Sequence, residues 1–226
     1  MRKQLTKIKK AFTMIELVFV IVVLGILAAL AMPRLDRDLK QEAADTILSN
    51  IRYAQHLALI DYKHKFNKAK WQQRFWHIVF GTCSSTDNTY FFMVGSDDNM
   101  GDSSNTYFAE AEAAIDPQTG KPLFWTNGQA CSDSTATSAY APQIFISRKY
   151  GIKGISSSKG CADALHIGFD HLGRPHHSFG TSTQPNYSTV IHQTCTFTFT
   201  MSDNETFQIS IQPETGYAQI VGQPDS

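Results

Sequence analysis

Four cysteines, a run of histidines, an acidic loop and one isolated glutamate carry most of the chemistry this sequence offers. Cys83, Cys131, Cys161 and Cys195 form an even set, which in an oxidising compartment reads as two disulfides. Three pairings are open. Sequential pairing, Cys83 with Cys131 and Cys161 with Cys195, is favoured because each loop then stays within one half of the domain. No two cysteines have the two-residue spacing common in zinc sites, which sets zinc behind disulfides. His166, His171, His176 and His177 fall within twelve residues. A metal site would need several of them to converge with outer-shell partners, whereas turn positions for His171, His176 and His177 predict surface imidazoles. Asp97, Asp98 and Asp102, with Asn99 between them, resemble half of an oxygen-rich calcium loop, but no bidentate Glu follows at the expected distance. The default is a solvated acidic loop, so no metal or cofactor is expected, with calcium at Asp97, Asp98 and Asp102 as the weaker alternative. No Gly-x-Ser-x-Gly, phosphate loop or His-Glu-x-x-His occurs. A nucleophilic Cys161 served by His166 is set behind disulfide pairing. The chain therefore reads as a non-enzyme.

Glu16 is the only charged residue between Phe12 and Met32. Twenty or so apolar residues at 1.5 Å rise span the hydrocarbon core of a bilayer, so residues 12–33 are expected to form a transmembrane helix. An acid inside such a helix costs up to about 3 kcal/mol and usually has a partner. No Lys or Arg lies in the helix. A cut between Ala11 and Phe12 would create an α-amine, which pairs more easily with Glu16 of a neighbouring copy than with its own. The basic residues Arg2, Lys3, Lys7, Lys9 and Lys10 precede the apolar run, the reverse of a signal peptide cleaved behind its apolar core. By the positive-inside rule they place the N-terminus in the cytoplasm. They are five of the 20 basic residues, and none of the 20 acidic ones lies with them. The remainder carries 15 positive against 20 negative charges, a net of −5.

Beyond Pro33 the helical period continues through Leu35, Leu39, Ala43, Ile47, Ile51, Ala54 and Ala58, one face of an amphipathic helix ending near Tyr62. Gly25 and Pro33 are its weak points. Then the period shifts to two. Residues 75–81 and 90–94 predict strands joined by a hairpin loop, and 194–200 with 207–211 predict the clearest hairpin. Residues 143–147 and 165–169 read as further strands, 151–160 as a Gly/Ser/Lys-rich loop, and 217–221 as a final extended element. A short helix or strand is expected at 108–115, a turn at 116–120 and a Ser/Thr/Ala loop at 132–139. One long helix followed by antiparallel strands is the α+β class.

The stretch Lys9-Lys10-Ala11-Phe12-Thr13-Met14-Ile15-Glu16-Leu17, continuing through Val23-Leu24-Gly25-Ile26-Leu27-Ala28-Ala29-Leu30-Ala31-Met32-Pro33, resembles the N-terminus of type IV prepilins and type II secretion pseudopilins. The resemblance covers about residues 7–35. It implies three parts: a leader over residues 1–11, a transmembrane and filament-core helix over 12–33, and an amphipathic helix with a periplasmic α+β domain over 34–226. It implies cleavage between Ala11 and Phe12 by a prepilin peptidase and N-methylation of Phe12. It assigns Thr13, Glu16, Gly25 and Pro33 to assembly, with stretching near Gly25 and Pro33 when subunits pack. The family usually has Gly where this chain has Ala11, a residue still small enough for cleavage. Implied partners are other pilin or pseudopilin subunits, an inner-membrane assembly platform and the membrane itself. The implied location is the bacterial inner membrane as a single-pass protein with the C-terminal domain in the periplasm, and a filament after assembly. Some relatives bind DNA during natural transformation. Arg148, Lys149, Lys153, Lys159 and Arg174 would be the basic patch for that alternative. The turn Phe169-Asp170-His171-Leu172-Gly173-Arg174-Pro175 resembles one found late in minor pseudopilins, and a plain hairpin turn, compatible with that match, is the default reading.

Overall fold

The computed structural model describes residues 13–65, 67–84, 89–100, 108–126, 129–132 and 137–223, without the side chains of 29–38. A long helix leads and antiparallel strands follow. The chain divides into two compact units, Met1–Leu39 and Lys40–Ser226.

Helix α1 (Met14–Ile60) contains 47 residues. Thr13 caps it: the Glu16 backbone N–H donates to Thr13 Oγ1 at 3.3 Å. This is half of a capping box, and an acid at the third position also suits the positive end of the helix dipole. Between residues 14 and 27 the large apolar side chains are 36–89% exposed, so nothing in the described chain covers them. Among the described residues no helix is long and apolar enough to cross a membrane. Residues 14–33 of the expected span are helical, with side chains described for 14–28. Ala11 and Phe12 lie outside the described residues, as does the side chain of Pro33.

In the second unit α1 buries Ala43, Ala44, Ile47, Leu48, Ile51, Ala54 and Ala58 in the main core. This is the face expected from periodicity, widened by Ala44 and Leu48. Leu39 is a correction: it is 40% exposed, because the buried stripe begins only at Ala43.

Two four-stranded antiparallel sheets follow. Sheet 1 has the order β2-β1-β4-β5, with β1 Trp76–Thr82, β2 Tyr90–Gly95, β4 His166–Phe169 and β5 Pro175–His176. Sheet 2 has the order β3-β6-β7-β8, with β3 Ile152–Ser157, β6 Cys195–Met201, β7 Thr206–Ile211 and β8 Ala218–Ile220. Along β6, Cys195, Phe197, Phe199 and Met201 are buried while the threonines between them are half-buried, as strand alternation requires. Phe80 of β1 meets Phe197 and Phe199 at ring separations of 5.2 and 5.3 Å, tying the two sheets into one core.

Two expected elements are overturned. Residues 143–147 are helical, as a 3-10 turn at Pro142–Ile144 and the short helix α2 (Ile146–Tyr150). Pro142 sits at the helix start and Gly151 closes the end in the left-handed region at φ 76°, the usual asymmetry of proline first and glycine last. Ile144, Phe145 and Ile146 are all buried, and a short apolar run has no period by which to tell strand from helix. Residues 152–157 are a strand, not a loop. β3 pairs with β6 through a register shift between Ile152 and Gly154, a partner that composition alone does not reveal. Segment 108–115 is a 3-10 turn at Glu110–Glu112, with isolated bridges from Ala113 to Gly95 and from Ile115 to Pro122.

Disulfides join Cys83 to Cys131 and Cys161 to Cys195, the sequential pairing. They close sequence separations of 48 and 34 residues.

Candidate functional site

The chemistry of this chain divides between the start of α1 and the face of sheet 1 turned away from Ile78 and Ile167. At the start of α1 the described groups are Thr13, Glu16 and the exposed apolar residues that follow them. Glu16 is itself exposed, its carboxylate set among the exposed Met, Leu, Val, Ile and Phe side chains of this stretch. The sequence alone carried the cap signal, since Thr13 and Glu16 have the spacing of a capping box.

The other site is one that motif reading missed. The register pairs His77 with Gly95 on one side and with Gly168 on the other, and Gly168 with His176. Directly paired residues share a face, so Gly95, His77, Gly168 and His176 form a row across all four strands, and His166 lies on the same face two residues from Gly168. The glycines leave gaps that aromatic rings fill. A Cβ on Gly95 would lie 2.3 Å from the Phe108 ring, and one on Gly168 would lie 2.5 Å from the Phe179 ring. His77 is wedged edge-on between the two, with ring separations of 5.1 Å to Phe108 and 5.2 Å to Phe179.

Burial sets the ionisation of these imidazoles. It lowers His77 to about 3, against a weaker opposing hydrogen bond with the Phe75 carbonyl, and His166 adds to the lowering. Burial also lowers His166 to about 4, with His177 adding to it. His176 is 2% exposed. Its Nδ1 lies 2.9 Å from Thr189 Oγ1 and its Nε2 lies 3.4 Å from Asp170 Oδ2. Burial alone would raise the Asp170 carboxyl. Bonds from His176, Arg174 and the backbone N–H groups of Arg174 and Leu172 outweigh it and hold the group well below the carboxylate range. Thr189 Oγ1 donates onward to the Asn186 carbonyl at 2.8 Å. This Asp-His-Thr chain is buried along its whole length, so it locks the turn after β4 and presents no hydroxyl to solvent. The expectation of a surface imidazole is thus corrected for His176, which lies in a buried strand with partners on both ring nitrogens. His166 lies on β4, within the strand expected at 165–169, under Phe179.

The acidic loop is also committed internally. Asp97 accepts the Met100 N–H at 2.8 Å. Asp98 takes Lys63 Nζ and Arg74 Nη2, each at 2.9 Å. Burial pushes its carboxyl up, and these two cations outweigh burial and bring it below its ordinary value. Asp102 lies outside the described residues. Among the described residues no group of three or more His, Cys, Asp or Glu is placed to hold a metal ion. Of the basic residues considered for a DNA patch, Arg148 donates to the Cys131 carbonyl and Thr137, Lys149 pairs with Glu42, Lys153 bonds Asn204, and Arg174 pairs with Asp170.

The decisive similarity lies at the N-terminus. Residues 6–32 match the prokaryotic N-terminal methylation motif. That motif is the signature of type IV pilin and pseudopilin prepilin signals, and it takes in Ala11, Phe12, Thr13, Glu16 and Gly25 together. It points to a structural subunit made as a precursor. No curated protein and no solved structure matches the chain significantly.

Proposed function

We propose that this protein is a structural subunit of a type IV pilus or a type II secretion pseudopilus. A prepilin peptidase cuts the precursor between Ala11 and Phe12 and the new Phe12 amine is methylated. The subunit waits in the bacterial inner membrane, N-terminus in the cytoplasm and residues 34–226 in the periplasm, and then enters a filament through α1. The observation that carries this reading is the methylation motif running directly into an outward-facing apolar helix. Such a helix is soluble only when lipid or other helices cover it, and one surface serves both purposes in turn. Glu16 sets the register in the filament by pairing with the Phe12 amine of an adjacent subunit, because an unpaired carboxylate among packed helices is costly.

The test is intact-mass measurement on protein made in a bacterium that has a prepilin peptidase. The mature chain should begin at methylated Phe12. An Ala11→Lys variant should stay full length, because a peptidase pocket for a small residue cannot hold a long cation. A wild-type chain that is never cut at this bond would defeat the reading.

A further inference from the structure

We propose that the segment from Phe179 to Thr189 is an acid-released latch over sheet 1, closed by the Phe179 ring and triggered by His77 and His166. One ring covers both imidazoles. Phe179 is fully buried, rests in the gap above Gly168, and stands 5.2 Å from His77 and 5.6 Å from His166. Those two histidines are on adjacent paired strands of the same face. Lifting the ring would let water reach both at once.

Thr189 anchors the end of the segment through His176 and the His177 N–H, and ahead of it little else holds the segment. Between residues 178 and 188, Phe179 is the only buried side chain. The remaining ties are polar: Gln73 Nε2 donates to the Ser182 carbonyl at 2.9 Å, Gln72 exchanges two bonds with the Asn186 backbone, and Asn186 caps its own turn through Ser188. Such bonds are readily exchanged for bonds to water, so a stretch held by one ring sits at the low end of local stability.

The charged and titratable neighbours set the direction. On the sheet these are His77, His166, His176 and His177; on the turn after β4, Asp170 and Arg174; beyond the segment, His192, which pairs with Glu214. Asp170 is engaged with Arg174 and His176 and lends no charge to His77. His177 is lowered by burial, by His176 and by His192, which adds to the same trend. With the latch closed, His77 and His166 hold no proton until about pH 3 and about pH 4. Once wetted they titrate near 6.5. Each therefore favours the open form about tenfold per pH unit below that value. Two together give about 250-fold between pH 6.5 and pH 5.

The experiment is hydrogen–deuterium exchange on the full chain in detergent at pH 7.4, 6.0 and 5.0, corrected for the intrinsic pH dependence of exchange. Peptides from 178–189 should lose protection steeply as pH falls, while those from 195–211 keep theirs. His166→Gln and His77→Gln should each leave only about a fifteenfold response between pH 6.5 and 5. Protection of 195–211 at pH 7.4 reports that each variant is folded. If His77→Gln fails that check, His166→Gln, at a half-buried position, decides alone. Unchanged protection of 178–189 at pH 5, loss in step with 195–211, or a full wild-type pH response in His166→Gln would each overturn the latch.

Discussion

Single side chains in this protein act mainly by what they leave room for. Gly168 is needed because the Phe179 ring occupies the space a Cβ would take. Gly168→Ala should cost about 1–3 kcal/mol, the usual range for overpacking. Urea unfolding of Gly168→Ala, Phe179→Leu and the double variant should show coupling, with the double variant more stable than the sum of the singles. Strict additivity would mean that the ring does not rest on the glycine. At the other end of the chain, Glu16→Leu should leave insertion and cleavage intact and reduce incorporation into sheared filaments. Glu16→Gln should recover part of the loss if hydrogen bonding, and not shape, is what matters. Fractionation of membrane and filament pools reads this directly, and normal incorporation of Glu16→Leu would falsify the register role.

At the scale of elements, α1 positions the second unit through small residues and one amide. Ala43, Ala54 and Ala58 let the helix approach the core closely, so Ala54→Leu should destabilise by about 1–3 kcal/mol. Gln55 reaches two separate turns: its Nε2 donates to the carbonyls of Gly173 and Thr215, both at 2.9 Å. Gly173 and Gly216, at φ 78° and 65°, make those turns in the left-handed region that favours glycine. Gln55→Ala should cost about 1 kcal/mol and raise exchange in both turns together. An effect confined to one turn would show that the amide is not shared. The 3-10 turn Trp71–Arg74 works similarly. Its buried polar residues tie the 182–186 segment through Gln72 and Gln73 and the acidic loop through the Arg74–Asp98 pair.

At the scale of the whole molecule, two disulfides and several buried ionisable groups set the conditions under which the fold is stable. The disulfide loops would stabilise it by about 4 kcal/mol each in the chain-entropy model. Purified oxidised protein should contain no alkylatable thiol, and reduction should lower its melting temperature markedly. Acid acts in the same direction through several groups. His77 and His166 have folded-state pKa values below the ordinary 6.5, so their contribution is complete above about pH 6.5 and is lost as pH falls towards 4 and then 3. Asp170 and Asp98 are also depressed, and their contribution is lost only below the ordinary carboxylate range. Global stability from urea midpoints should therefore decline between pH 6.5 and 4, and decline again further below. A flat profile from pH 7 to pH 4 would contradict buried neutral imidazoles.

The methylation motif, the helix it opens and the β6–β7 hairpin were legible in the residues, because each depends on local order: a charge pattern, a period of 3.6, a period of two. The cysteine pairing was legible as a preference, and only coordinates chose it among three. What the sequence could not disclose depends on partners far along the chain. β3 looks like a loop until β6 lies beside it, and α2 looks like a strand because the run Ile144-Phe145-Ile146 is buried throughout and so has no period by which to tell strand from helix. Asp97 looks solvated until the fold buries it with its carboxylate on the Met100 N–H, whereas Asp98 stays exposed and is paired with Lys63 and Arg74. His77 carries no motif at all. Its role comes from a register that aligns two glycines and two histidines across four strands, and from two phenylalanines, each from outside the sheet, that fill the glycine gaps. Register and long-range packing are properties of the folded chain, since a one-residue slip of any strand would put those imidazoles on the opposite face.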